Sequence, residues 1–200
     1  MDINLLGFMP ALLPVALSPG ASFTLVMGSA LAGGRKGLYR TLAGTALGIY
    51  THALLIGFGI TAVIVSSPAI FSVLKIAGTL YLLWLGAMLI RDGLNAQHPQ
   101  SQKKPSPVTI KEAWLANVLN PKAIIFYLTV VSQFAGKYGG VGNYLTLASF
   151  HVAIMVLWLI IISHTLVFST KKINPLLLKK YVNMAGGLLL IIFSLHSFID

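Results

Sequence analysis

Two short phrases in this chain carry the same potential chemistry. Leu17, Ser18, Pro19, Gly20 and Ala21 are answered 102 residues later by Leu119, Asn120, Pro121, Lys122 and Ala123. In each phrase a proline follows a residue whose side chain can cap a helix, inside or near the start of a long apolar run. Proline removes a backbone donor and disturbs the turn before it. Ser or Asn followed by proline at the first helical position is a favourable helix start. Counting about 1.5 Å per residue puts the first break roughly 22 Å along its run and the second about 10 Å from the start of its own.

The amides exposed at such a start carry the positive end of a helix dipole and, with no bulk water at that depth, require an acceptor. A carboxylate meets both needs, and Lys122 adds a full positive charge beside the second break. The expected substrate-binding set is Ser18, Pro19, Gly20, Asn120, Pro121 and Lys122, with Tyr127 about one turn further on. Prolines also simply kink packed membrane helices; it is the matched pair of breaks that favours a site. Lys122 can instead snorkel toward the cytoplasm, as Lys75 can toward the outer face.

Four histidines fall in the apolar runs: His52, His151, His164 and His196. The last two lie near run ends and read as interfacial. His52 is near mid-depth, and because imidazole titrates at about 6.5 it is the proton-coupling candidate, against the plainer reading of a neutral ring bonded to a carbonyl. Gly44 and Gly48, at four-residue spacing, and Gly78 are read as helix-packing positions that let backbones approach, at a seam between halves or between subunits.

The elements that must hold these residues follow from composition. Of 200 residues, 56% are hydrophobic and 9% charged, with a mean hydropathy of +0.86, whereas soluble domains carry roughly 25% charge. Six stretches approach or exceed the roughly 20 residues a membrane-crossing helix needs: Ile3 to Ala32, Leu42 to Val65, Ala69 to Ile90, Ala113 to Phe134, Leu145 to Phe168 and Leu176 to Phe198. They are continuous rather than alternating, so helices and not a barrel are expected. The first run, lacking a basic flank and a cleavage site, reads as a retained helix rather than a signal peptide.

The net charge of +10 is explained by position rather than by nucleic acid. Eleven of the fourteen basic residues, among them Arg35, Lys36, Arg40, Arg91, Lys111, Lys179 and Lys180, fall in alternate loops. The positive-inside rule then makes those loops cytoplasmic and leaves both termini outside.

The halves share more than the proline phrases. Thr41, Leu42, Ala43 is matched by Thr146, Leu147, Ala148, and Ala77, Gly78 by Ala185, Gly186. The expected fold is therefore all-α and polytopic: six helices in two three-helix repeats, residues 1–91 and 112–200, joined by a cytoplasmic linker, residues 92–111. Three helices per repeat force the second copy to enter from the opposite side, an inverted repeat of the kind secondary transporters use.

Exclusions sharpen the expectation. Without cysteine there is no thiolate chemistry, and the four acids, Asp2, Asp92, Glu112 and Asp200, all lie outside the spans. Cationic substrates, which need a buried counter-charge, and hard divalent metals are disfavoured. No nucleophile, base and orienter set suggests an enzyme, and no cofactor or bound metal is expected.

Taken in order, these residues resemble the LysE/RhtB family of bacterial amino-acid exporters. The resemblance rests on Ser18, Pro19, Gly20; Gly33, Arg35, Gly37; Gly44, Gly48, His52; Lys75, Gly78, Tyr81, Leu82, Gly86; and Asn120, Pro121, Lys122, Ala123 with Gln133 and Phe134. It covers nearly the whole chain. One departure is Ala21, where the family's first motif usually has a second proline, which implies a softer hinge at the same break. The resemblance implies export of a neutral amino acid of the homoserine, threonine or branched-chain type across the bacterial inner membrane, antiported with protons, and it admits a homodimer. Efflux of another small solute or a metal ion, and a non-transporting membrane scaffold, are the rival readings.

Overall fold

The structure, a computed structural model, describes residues 3–95, 107–136, 140–169 and 174–199. The central part of the expected linker, with Lys103 and Lys104, lies outside the described residues, as do Lys137, Lys171 and Lys172. Among the described residues every regular element is helical: α1 (Leu5–Leu17), α2 (Ala21–Ser66), α3 (Pro68–Leu94), α4 (Ile110–Val118), α5 (Pro121–Phe134), α6 (Val141–Phe168) and α7 (Pro175–Ile199).

Among the described residues three helical stretches are long and apolar enough to cross a membrane, Ala21–Gly59, Val141–Phe168 and Leu176–His196. The pair α4 and α5, bent by 56° at the break, makes a fourth if it is one span. The distribution of polarity agrees with a membrane solvent. Leu55, Phe58, Leu157 and Leu188 face outward, while Ser29, Thr41, Thr45 and His52 are buried. Buried hydroxyls close on their own helix, Thr41 to Gly37 O at 2.8 Å and Ser163 to Leu159 O at 2.6 Å, the local satisfaction that a water-free environment demands.

α2 is not a single rod. Gly34, at φ 59° and ψ −147°, interrupts it, in a region of backbone space that side chains other than glycine's strongly avoid. The Ser29 hydroxyl donates to Gly37 O across 3.1 Å, although a straight helix would set residues eight apart about 12 Å along its axis. The chain therefore doubles back within one residue. Arg35, Lys36 and Arg40, expected in a loop, are helical, because a glycine turn replaces the loop and leaves nothing to unwind the residues after it.

The second arm of α2 packs on α4 and α6, α3 packs on α7 and on α5, and α1 lies against α7. The glycines singled out in the sequence stand at these crossings. A Cβ on Gly44 would meet the Ile110 carbonyl, on Gly48 the Asn117 side chain, and on Gly78 the Gln133 amide and Thr129 carbonyl. Gly44 and Gly48 thus form the crossing of α2 with α4, and Gly78 that of α3 with α5.

Candidate functional site

Both expected breaks are present, and their local chemistry differs. At the second, Asn120 is extended and caps α5, its Oδ1 accepting from the Lys122 amide at 3.0 Å with Pro121 as first helical residue. At the first, the expected arrangement is corrected. Ser18 was read as the N-cap of a half-helix beginning at Pro19, but it ends α1 instead: its amide donates to Pro14 O and its hydroxyl to Val15 O. The next helix begins at Ala21 with Gly20 as cap and no side-chain cap bond. The Gly20 amide turns back to Ser18 O at 2.8 Å, and this tight turn pushes the helix start two residues on.

An uncapped start leaves the first amides of α2 as donors that the helix cannot use. Ala21, Ser22 and Phe23, which carry them, line a partly open cavity of about 70 Å³ together with Ser18, Gly20, Asn120 and Lys122. A second cavity, of about 260 Å³, lies toward α3, where Tyr81, Trp84 and Asp92 join Pro19 and Pro121. Ser18, Gly20 and Lys122 belong to both. Between them the Lys122 ammonium donates to the Ser18 hydroxyl at 2.9 Å, so one hydrogen bond ties the two breaks together and stands at the boundary of the two hollows. The Tyr81 hydroxyl donates to Lys122 O at 3.2 Å and anchors the same residue from α3.

The structure thus brings together six of the seven expected binding residues. Tyr127 stands behind them: it is fully buried and its hydroxyl meets His151 Nδ1 at 3.2 Å. The cause is a π-helical stretch, Phe126–Val131, whose extra residue per turn rotates the side chains; such bulges recur at functional sites. His52 also stands behind the cavity. Its Nε2 donates to Asn117 O at 3.2 Å, and its ring stacks on Tyr127 at 5.7 Å. Tyr127 in turn stacks on His151 at 5.9 Å, making a row of three rings.

His151 and Asn117 line the first cavity, and neither was given a site role from the sequence. A signal for His151 existed. Tyr50 precedes His52 by two residues, Ser149 precedes His151 by two, and Tyr50 and Ser149 are bonded across 99 residues at 3.0 Å. Among the described residues no group of three or more His, Cys, Asp or Glu could hold a metal ion.

Residues 13–200 match the family model for LysE type translocators. The chain belongs to this family. Among LysE relatives, an uncharacterized membrane protein of Bacillus subtilis, YrhP, is 26% identical over 97% of this chain and 98% of its own. The homoserine/homoserine lactone efflux protein of Salmonella typhimurium is 32% identical over 60% of this chain and 59% of its own. The threonine efflux protein of Escherichia coli is 24% identical over 92% of each. No solved structure matches. The chain is accordingly an integral membrane protein related to amino-acid efflux proteins.

Proposed function

We propose that this LysE-family chain is a secondary exporter of neutral amino acids of the homoserine, threonine or branched-chain type, coupled to protons. The observation that carries the reading is the cavity where both helix breaks meet, lined by Lys122 and by the first residues of α2, a helix start without a side-chain cap. A zwitterion's carboxylate takes both positive groups at once. The activities for which the relatives are named, efflux of homoserine, its lactone and threonine, support the substrate class.

In this reading residues 1–91 and 112–200 are inverted three-helix repeats that cross the inner membrane six times, with both termini outside, and rock about the shared site. The doubling back at Gly34 supports the count, because it turns one long helix into two antiparallel arms. His52 is the proposed coupling group: its ring holds the backbone carbonyl of Asn117 just before the second break, so a change of charge there is felt at the hinge. A homodimer is compatible with the exposed apolar faces.

The test is uptake of labelled leucine, threonine and homoserine into energised inverted vesicles. The wild type accumulates at least one of them; Pro19→Ala and Lys122→Met lose accumulation while still eluting as folded, monodisperse protein. Retained transport in both variants overturns the site, and a wild type that carries none of the three overturns the substrate class.

A further inference from the structure

We propose that His151 is a ligand of the substrate carboxylate, held by Tyr127 as a hydrogen-bond donor of fixed direction. The proposal rests on the exporter reading above and assigns its site a residue that the proline phrases do not contain. His151 lines the first cavity together with Lys122 and the opening residues of α2. Its Nδ1 faces the Tyr127 hydroxyl at 3.2 Å, on a side chain with no exposed surface.

A phenol has one hydrogen to give, and a buried hydroxyl donates it where it finds an acceptor. Among the described residues the partner of the Tyr127 hydroxyl is His151 Nδ1. The O–H therefore donates to Nδ1, and in the neutral ring the hydrogen sits on Nε2. Tyr127 stacks on the ring at 5.9 Å, and Phe126 meets it edge-on at 5.9 Å, which fixes its plane. His151 lines the cavity, and Nε2–H is the polar atom its ring has left to offer a ligand.

Three kinds of donor then share that wall: the Lys122 ammonium, the first amides of α2 and His151 Nε2–H. A carboxylate offers about four lone-pair directions and accepts from all three. The ligand class is a small monocarboxylate, recognised by this group before any feature of its side chain. The titratable groups around His151 are Tyr127 and Lys122 on α5 and His52 and Tyr50 on α2; α1 brings none.

The experiment is transport kinetics in proteoliposomes with labelled leucine, threonine and homoserine, using whichever the wild type carries. His151→Leu raises KM by about tenfold, the worth of one hydrogen bond to a charged group, with a smaller change in kcat. His151→Gln, whose amide nitrogen reaches the same place, restores KM to within about threefold of wild type. Tyr127→Phe, which frees the ring to change tautomer, raises KM by about threefold on its own and has no further effect on KM in the His151→Gln background. The matching amino alcohol, lacking the carboxylate, competes equally poorly against wild type and His151→Leu.

An unchanged KM in His151→Leu overturns the assignment. Loss of pH-gradient-driven accumulation with KM intact also overturns it, and makes His151 a proton carrier instead. If His151→Leu does not fold, the pair Tyr127→Phe and Tyr127→Phe/His151→Gln decides: equal increments in both backgrounds overturn the proposal. A wild type that moves no amino acid fails the exporter reading itself, whereas a wild type that transports and ignores these changes fails this proposal alone.

Discussion

Lys122 Nζ and Ser18 Oγ lie 2.9 Å apart although 104 residues separate them. The cation of one break is held by the hydroxyl that closes the helix at the other. A carboxylate entering the cavity competes with that hydroxyl for the ammonium. Ser18→Ala removes the competitor, and because a hydrogen bond has a net worth of about 1 kcal/mol, KM falls by about fivefold. Initial-rate measurements across a range of substrate concentrations check this; a rise in KM would mean that Ser18 touches the substrate itself.

Gly34 is the turn on which the two arms of α2 reverse. Alanine there adopts φ near +60° with ψ near −150° at a cost of about 1–3 kcal/mol. Thermal unfolding in detergent, followed by loss of the monodisperse peak, shows a lowered midpoint for Gly34→Ala. Gly28→Ala, where an added Cβ meets nothing within 4 Å, stays near wild type.

The crossing of α2 with α4 is set by Gly44 and Gly48 against Ile110 and Asn117. Gly48→Val overpacks this contact and destabilises the protein by about 1–3 kcal/mol. Since Asn117 lines the cavity and receives the His52 bond, transport falls at temperatures where the fold survives. Paired melting and transport assays on the same preparation separate the two effects.

His52 touches the hinge through a backbone carbonyl, which cannot be mutated away, so the ring is the element to change. His52→Gln keeps a donor to Asn117 O yet does not titrate between pH 5 and 8. The expected outcome is counterflow exchange within about threefold of wild type, with loss of accumulation driven by an imposed pH gradient. Persisting gradient-driven accumulation assigns coupling elsewhere.

The two breaks were legible because in each phrase the proline follows a residue able to cap a helix: Pro10 and Pro14 are accommodated inside α1, whereas Pro19 and Pro121 stand at the interruptions. The packing roles of Gly44, Gly48 and Gly78 were legible for a similar reason, since closeness of approach is a property of the missing side chain. What could not be read is what depends on the third dimension. Ser18 and Asn120 occupy matching positions, yet Ser18 closes a helix while Asn120 opens one, and the difference lies in the extended backbone of Gly20. Tyr127 was placed toward the cavity by counting turns of an ordinary α-helix, and the π-helical stretch turned it toward His151. Hydropathy showed the basic residues after Ala32 as a loop, because charge near a membrane surface looks the same in a loop and in a helix end.

At the tip of the α2 hairpin, Pro107 packs against Gly33, and the Val108 amide donates to the Ser29 hydroxyl at 3.0 Å. The far end of the connecting segment is therefore moored to the α2 hairpin, two residues before α4 begins at Ile110. In the exporter reading proposed above, a swing of residues 112–200 against residues 1–91 is taken up after Val108, at the Thr109–Glu112 capping box that opens α4. In that reading the connector is a clasp: lengthening it upstream of Pro107 leaves the stroke unchanged, whereas Ser29→Ala frees its end from the hairpin while the helix crossings still hold the fold together.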